Sequence, residues 1–193
     1  MSVPVVIVLA AGDGERYRAA GGRGDKLRAT VTLSGVTGTV LDHVLAAVAS
    51  SGLPWRLVDR ERTAQVACPG MGTSIALGVA DTAEAGGWLI LPADLPLITA
   101  QSIQRVAEAL ATHPVVVPVV GGKRGHPVGF GAACRDELLA LAGDEGARHI
   151  ANRHAPFRLE LDDLGCVLDV DTPEALAGIS EAASARHGAP ASA

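Results

Sequence analysis

The chain alternates between short unbroken apolar runs and stretches whose apolar residues recur at helical spacing. Val5–Leu9 is apolar throughout, the mark of a strand buried on both faces. Thr39–Ser50 places Val40, Val44, Leu45 and Val48 on one helical face, with Thr39 as N-cap and Gly52 as stop. The same reasoning predicts strands at Trp55–Val58, Trp88–Leu91 (ending at Pro92) and Val115–Val120, and helices at Ser74–Ala85 and Thr99–Ala111, the latter capped by Thr99. Gly121–Gly125 is a turn, and Pro127–Phe130 pairs back from it. Asp136–Ala142 and Gly146–Asn152 read as short helices, Phe157–Leu161 and Cys166–Val170 as strands. Thr172-Pro173-Glu174 opens a last helix, with Thr at the cap, Pro at the first helical position and an acid in the first turn. Strands alternating with helices predict an α/β fold: a three-layer, mostly parallel, Rossmann-like sheet with a small antiparallel insertion. Residues 1–183 are expected to form one domain, and the Ala-, Ser-, Gly- and Pro-rich tail 184–193 is expected to be disordered.

Composition narrows the function classes. The 193 residues are 48% hydrophobic but only 3% aromatic, so the core must be built from Ala, Val and Leu. Net charge is −5, the pI is about 5.6, and no basic stripe is present, which argues against nucleic acid or an anionic membrane as partner. Cys68, Cys134 and Cys166 are scattered and odd in number without a CxxC, so disulfides and zinc ribbons are disfavoured and a reducing cytoplasm is expected. The run Val3–Ala11 is too short to span a bilayer and lacks a basic n-region.

Three constellations carry candidate chemistry. The first strand breaks into Gly12-Asp13-Gly14-Glu15-Arg16, with Lys26 downstream. In open α/β sheets a loop at a strand's carboxyl end is where ligands bind. Gly12 and Gly14 allow close approach of backbone to an anion, and Arg16 and Lys26 can neutralise phosphates. The loop is neither a dinucleotide fingerprint, since Tyr17 stands at the third glycine, nor a P-loop, since no Gly-Lys-Ser/Thr follows. Asp94 follows the strand ending at Pro92, and Asp169 and Asp171 follow the strand expected at Cys166–Val170. Alone, each acid is an ordinary turn or helix cap. Together, facing a loop with two cations, they suit Mg²⁺ held by hard oxygen ligands beside substrate phosphates.

These segments, in this order, resemble the molybdenum-cofactor nucleotidyltransferase-like family. The matching residues are Leu9-Ala10-Ala11-Gly12-x-Gly14-x-Arg16 with Lys26; Gly70-Met71-Gly72-Thr73-Ser74; Pro92-Ala93-Asp94-Leu95-Pro96-Leu97; Arg124-Gly125-His126-Pro127; Gly143-Asp144-x-Gly146-Ala147-Arg148; and Asp169-x-Asp171-Thr172-Pro173-Glu174. The Arg-Gly-His-Pro and Gly-Asp-x-Gly-Ala-Arg pair resembles the cytidylyltransferase branch.

The resemblance implies a nucleotidyltransferase fold and Mg²⁺-dependent transfer of CMP, in preference to GMP, from a nucleoside triphosphate to the molybdopterin cofactor, with a client molybdoenzyme as a further partner. It implies that Leu9, Ala10, Ala11, Gly12, Gly14, Arg16 and Lys26, with Gly72 and Ser74, hold the nucleotide. Arg16, Lys26 and Asp94 would serve catalysis, Asp94 with Asp169 and Asp171 would hold the metal, and His126 and Arg148 would face the acceptor. The chain departs from the pattern in its long loop Tyr17–Asp25, in Leu95 where the cytidylyltransferases carry Gln, and in the segment Arg56–Pro69, whose shortness and few apolar residues point to a missing strand. Two rivals remain: a same-fold transferase acting on a sugar phosphate or another small phosphorylated acceptor, and a non-catalytic molybdenum cofactor carrier or chaperone.

Overall fold

The computed structural model describes residues 2–64 and 66–187, with side chains given as far as residue 180. The strands are β1 (Val5–Ala10), β2 (Thr30–Leu33), β3 (Val36–Thr39), β4 (Trp55–Asp59), β5 (Gly87–Pro92), β6 (Val115–Val120), β7 (Lys123–Arg124), β8 (Val128–Gly131) and β9 (Phe157–Glu160). The helices are α1 (Glu15–Ala19), α2 (Val40–Ser50), α3 (Arg60–Thr63), α4 (Met71–Asp81), α5 (Ala100–Ala109), α6 (Arg135–Leu139), α7 (Arg148–Arg153) and α8 (Pro173–His187).

The main sheet runs β4-β1-β5-β8-β6-β7, with β9 also paired to β6. β1 pairs parallel with β4 and β5, and β6 pairs parallel with β9, while β8 lies antiparallel between β5 and β6 and β7 folds back on β6. Strand alternation divides the core into two layers. Val6, Val8, Leu89 and Leu91 face α2 and α5 through Val40, Val44, Val48, Ile103 and Val106. Val5, Ile7, Trp88 and Ile90 face the opposite way, against Ile75, Val79, Leu138 and Ile150. Both faces are covered, so the three-layer expectation holds, and five of the seven strands share one direction.

Several expected boundaries shift. Cys166–Val170 is not a strand. Asp163 accepts hydrogen bonds from Gly165 N (Oδ1, 2.9 Å) and, at its carbonyl, from Cys166 N (3.0 Å), winding Leu164–Cys166 into a 3₁₀ turn. A Cβ at Gly165 would lie 2.1 Å from the Leu97 carbonyl, so the turn is pressed against the loop after β5 rather than laid along the sheet. α4 spans Met71–Asp81 instead of Ser74–Ala85. It starts early because Gly143 O accepts from Gly72 N (2.8 Å), and it stops where Thr82 Oγ1 returns a bond to Gly78 O (2.7 Å) and accepts from Trp88 Nε1 (3.0 Å). The two-stranded sheet β2–β3 was not foreseen. Its turn places Ser34 (φ 51°) and Gly35 (φ 81°) in the left-handed region, as a type I′ hairpin needs. Among the described residues no strand lies between β4 and α4. α8 runs to His187, past the start of the expected tail, and 188–193 lie outside the described residues. Among those described, no helix is long and apolar enough to cross a membrane.

Candidate active site

A cleft of about 1060 Å³ opens at the carboxyl ends of β1 and β5. Its floor and rim include Leu9, the loop Ala11–Arg16, Lys26, Asp94, His126, Asp169 and Asp171. Each arrives there by a local device. Gly14 takes a left-handed conformation (φ 63°) before α1, a turn that an L side chain rarely adopts. A Cβ at Gly12 would meet nothing within 4 Å, so the backbone there faces open space. Lys26 opens a 3₁₀ turn, Lys26–Arg28, capped by Asp25, whose Oδ1 accepts from Leu27 N at 3.0 Å. Ala93 N donates to Leu9 O (3.0 Å), carrying the β1–β5 ladder to the threshold of Asp94. Val170 N donates to Asp94 O (2.9 Å), so one main-chain bond draws the acidic segment 169–171 across the sheet edge to Asp94.

The acids and cations meet. Lys26 Nζ donates to Asp94 Oδ2 at 2.5 Å and to Asp171 Oδ1 at 3.0 Å, and Arg16 Nη1 donates to Asp171 Oδ2 at 2.9 Å. The side chains of Lys26 and Asp94 are 13% and 18% exposed, against 84% for Arg16, so the Lys26 pairs are shielded from solvent and the Arg16 pair is not. Burial pushes the Lys26 ammonium down, but the charges and hydrogen bonds of Asp94 and Asp171 outweigh it and raise its pKa above the ordinary 10.5. Burial pushes the Asp171 carboxyl up, but hydrogen bonds from Lys26 and Arg16 prevail and hold it below its ordinary value. Asp94, Asp169 and Asp171 each offer one carboxylate oxygen within 4.8 Å of the others, a donor set and spacing that fit a hard divalent cation.

His126 also lines the cleft. Its N–H donates to Cys166 O (2.9 Å), docking Arg124–Pro127 on the 3₁₀ turn that precedes Asp169. Its Nδ1 is buried without a hydrogen-bond partner among the described residues. Burial drives the imidazole pKa below its ordinary 6.5, and the Ile90 carbonyl and the charges of Asp94 and Asp169 oppose this without overcoming it.

Other candidate residues stand elsewhere. Arg148 is exposed at the start of α7 and is not among the residues lining the cleft. Gly72 is packed against the loop 142–145, where a Cβ would lie 2.5 Å from Glu145 O, and Ala10 is buried at the end of β1; neither lines the cleft. Ser74 does, but its Oγ donates to Gly70 O (2.8 Å), within its own helix start. Leu95 also lines the cleft but is 2% exposed and packs with the core. Arg60 is among the cleft residues absent from the sequence motifs, and its Nη2 donates to Gly12 O at 2.8 Å.

Known proteins share this architecture. A nucleotidyl transferase from Methanothermobacter superposes with a TM-score of 0.73 at 19% identity, covering 95% of this chain and 99% of that one. Rv0371c from Mycobacterium tuberculosis H37Rv, solved in complex with manganese, superposes with a TM-score of 0.69 at 22% identity over 93% of this chain and 99% of its own. At these identities the likeness speaks for the fold. The purine catabolism protein PucB of Bacillus subtilis is 32% identical over 151 residues, 69% of this chain and 73% of PucB. Residues 6–157 match the MobA-like NTP transferase domain, and the chain belongs to that family.

Proposed function

We propose that the protein transfers a nucleoside monophosphate, CMP in preference to GMP, from a nucleoside triphosphate to the terminal phosphate of the molybdopterin cofactor, releasing pyrophosphate. The observation that carries this reading is the meeting of Lys26 with Asp94 and Asp171 beside the Ala11–Arg16 loop. It supports a site where cations receive a triphosphate and carboxylates receive a divalent metal. Mg²⁺ held by Asp94, Asp169 and Asp171 would supply charge neutralisation at the reacting phosphates.

The chain's own residues have the remaining tasks. The loop from Ala11 to Gly14 offers backbone close to the phosphates, and Lys26 and Arg16 turn from the acids to the β- and γ-phosphates, favouring departure of pyrophosphate. The acceptor phosphate attacks the α-phosphorus in line, so no covalent enzyme intermediate is required and positioning supplies most of the rate. His126, which lines the cleft, is the acceptor-side group. Arg148 reaches the acceptor only if a bound ligand extends past the cleft rim toward α7. The Arg-Gly-His-Pro segment supports the preference for CTP.

The test is pyrophosphate release with CTP, GTP, ATP and UTP, each with and without molybdopterin cofactor. Release is expected to require the cofactor and to be fastest with CTP. GTP preference would overturn the choice of base. Release with a sugar phosphate but not with molybdopterin would overturn the acceptor. Nucleotide and cofactor binding without release would leave a carrier.

A further inference from the structure

Arg60 belongs to none of the sequence motifs, yet it joins the two segments that carry the cleft's cations and flexible backbone. We propose that Arg60 is a positioning residue for nucleotide binding, holding the Gly12–Gly14 loop and the Lys26 turn in the arrangement that receives the triphosphate. The proposal rests on the transferase reading of this cleft.

The sheet register sets its place. Ala10 pairs with Asp59, so the next residues, Ala11 and Arg60, leave the sheet side by side. Asp59 Oδ1 accepts from Arg62 N (3.0 Å) and fixes the start of α3, so Arg60 emerges at a defined angle. Its guanidinium then has partners on two loops. Nη2 donates to Gly12 O at 2.8 Å, Nε lies 4.0 Å from Asp13 Oδ1, and Nη1 lies 3.7 Å from Asp25 Oδ2. A planar fork of fixed donors suits this task, and a lysine ammonium could serve fewer of these partners at once.

Each contact has a consequence for the phosphates. In a trans peptide the carbonyl and the following N–H point in opposite directions. Holding Gly12 O against Arg60 therefore directs the Asp13 N–H the other way. Among the described residues no hydrogen bond uses the amides of Gly12, Asp13 or Gly14. Successive free amides beside a left-handed glycine form an anion-binding concavity. On the second loop, Asp25 uses Oδ1 to cap the turn that begins at Lys26 and Oδ2 to face Arg60. Arg60 thereby acts on Lys26 through Asp25. Its donors already have protein partners, which marks its effect as indirect.

The test compares Arg60→Ala, Arg60→Lys, Asp25→Ala and the double variant Arg60→Ala/Asp25→Ala by two measurements. Amide hydrogen exchange across residues 11–28 is read without nucleotide, and CTP affinity is read by calorimetry with Mg²⁺. In Arg60→Ala the segment is expected to exchange roughly tenfold faster while the melting temperature is kept. CTP affinity is expected to fall about tenfold, with partial recovery in Arg60→Lys. The double variant is expected to lose clearly less CTP affinity than the two single losses multiplied together, because Arg60 acts on Lys26 through Asp25. Unchanged exchange, unchanged CTP affinity, or fully additive losses would each overturn the proposal. Faster exchange in Arg60→Ala alongside a wild type that binds no nucleotide would support the loop-holding role and overturn the transferase reading instead.

Discussion

The Lys26 ammonium lies 2.5 Å from an Asp94 oxygen and 3.0 Å from an Asp171 oxygen, bridging acids that come from separate loops. A cation of the chain itself thus occupies the space between two of the three carboxylates that fit a metal. If the arriving triphosphate draws Lys26 away, Lys26→Ala weakens triphosphate binding more than monophosphate binding. Loss of one charge-assisted contact costs about 1.5–3 kcal/mol. Calorimetry with CTP and CMP checks this, and equal weakening for both would place Lys26 away from the β- and γ-phosphates.

The same pair predicts an effect on the metal alone. Without Lys26, Asp94 and Asp171 lose the counter-ion they share, with Arg16 left on Asp171 alone, and like charges held together attract a divalent ion more strongly. Mn²⁺ affinity without nucleotide should rise by on the order of tenfold in Lys26→Met at low ionic strength. Electron paramagnetic resonance of free Mn²⁺ reads it directly. Equal or weaker binding would show that Lys26 does not compete with the ion.

Gly12 and Gly72 should respond in opposite ways to alanine. A Cβ at Gly72 would lie 2.5 Å from Glu145 O and 2.9 Å from Ala142 O, so Gly72→Ala forces backbone apart and should cost about 1–3 kcal/mol of stability. A Cβ at Gly12 meets nothing within 4 Å, so Gly12→Ala should keep the melting temperature and weaken CTP binding. Thermal melts and nucleotide titrations of both variants decide. A stable Gly72→Ala, or a Gly12→Ala that binds CTP normally, would contradict the respective role.

Much of this architecture was legible because burial writes itself into the sequence. Val5–Leu9, Trp88–Leu91 and Val115–Val120 are apolar on both faces since both faces are covered, and Thr39 and Thr99 announced their helices by capping chemistry. In the candidate site, the meeting of Lys26 with Asp94 and Asp171 was legible because charged side chains mark it. The site was obscure where the backbone decides. Gly72 looked like a ligand-binding glycine but is a packing glycine, and only the approach of the 142–145 loop distinguishes the two. Cys166–Val170 had strand-like composition, but Asp163 and Gly165 wind its start into a turn. Arg60 was invisible because its value lies in the β1–β4 register. The Ser34–Gly35 turn between two β-branched runs was a signal present in the sequence and passed over.

Away from the cleft, Asp81 accepts from Arg56 Nη2 at 3.0 Å and Arg62 Nη2 at 2.8 Å, tying the end of α4 to β4 and α3. The Arg62 hydrogen bond is the largest influence and, with Arg56, outweighs burial, lowering the Asp81 pKa from 3.8. A carboxyl with a depressed folded value adds stability that is present above the unfolded pKa and is lost as pH falls through the folded one. Asp81→Asn should therefore destabilise the protein by about 1 kcal/mol at neutral pH, with the gap to wild type closing below pH ~4. Denaturant melts of both proteins across this range measure it, and a gap independent of pH would contradict the ionic origin.

Whether Asp94 and Asp171 bind a catalytic metal or only shape loops is decided by the Mg²⁺ dependence of pyrophosphate release in Asp94→Asn and Asp171→Asn, with Asp169→Asn alongside. Asparagine keeps the shape and the hydrogen-bonding oxygen of each acid but removes its charge. If the acids only cap turns, asparagine should be nearly neutral, since it caps as well as aspartate. If they bind the metal, Asp94→Asn and Asp171→Asn should fold normally by melting temperature, need sharply more Mg²⁺, and turn over slower by orders of magnitude. Near-normal release in Asp94→Asn at ordinary Mg²⁺ would contradict the metal site and the transferase mechanism built on it.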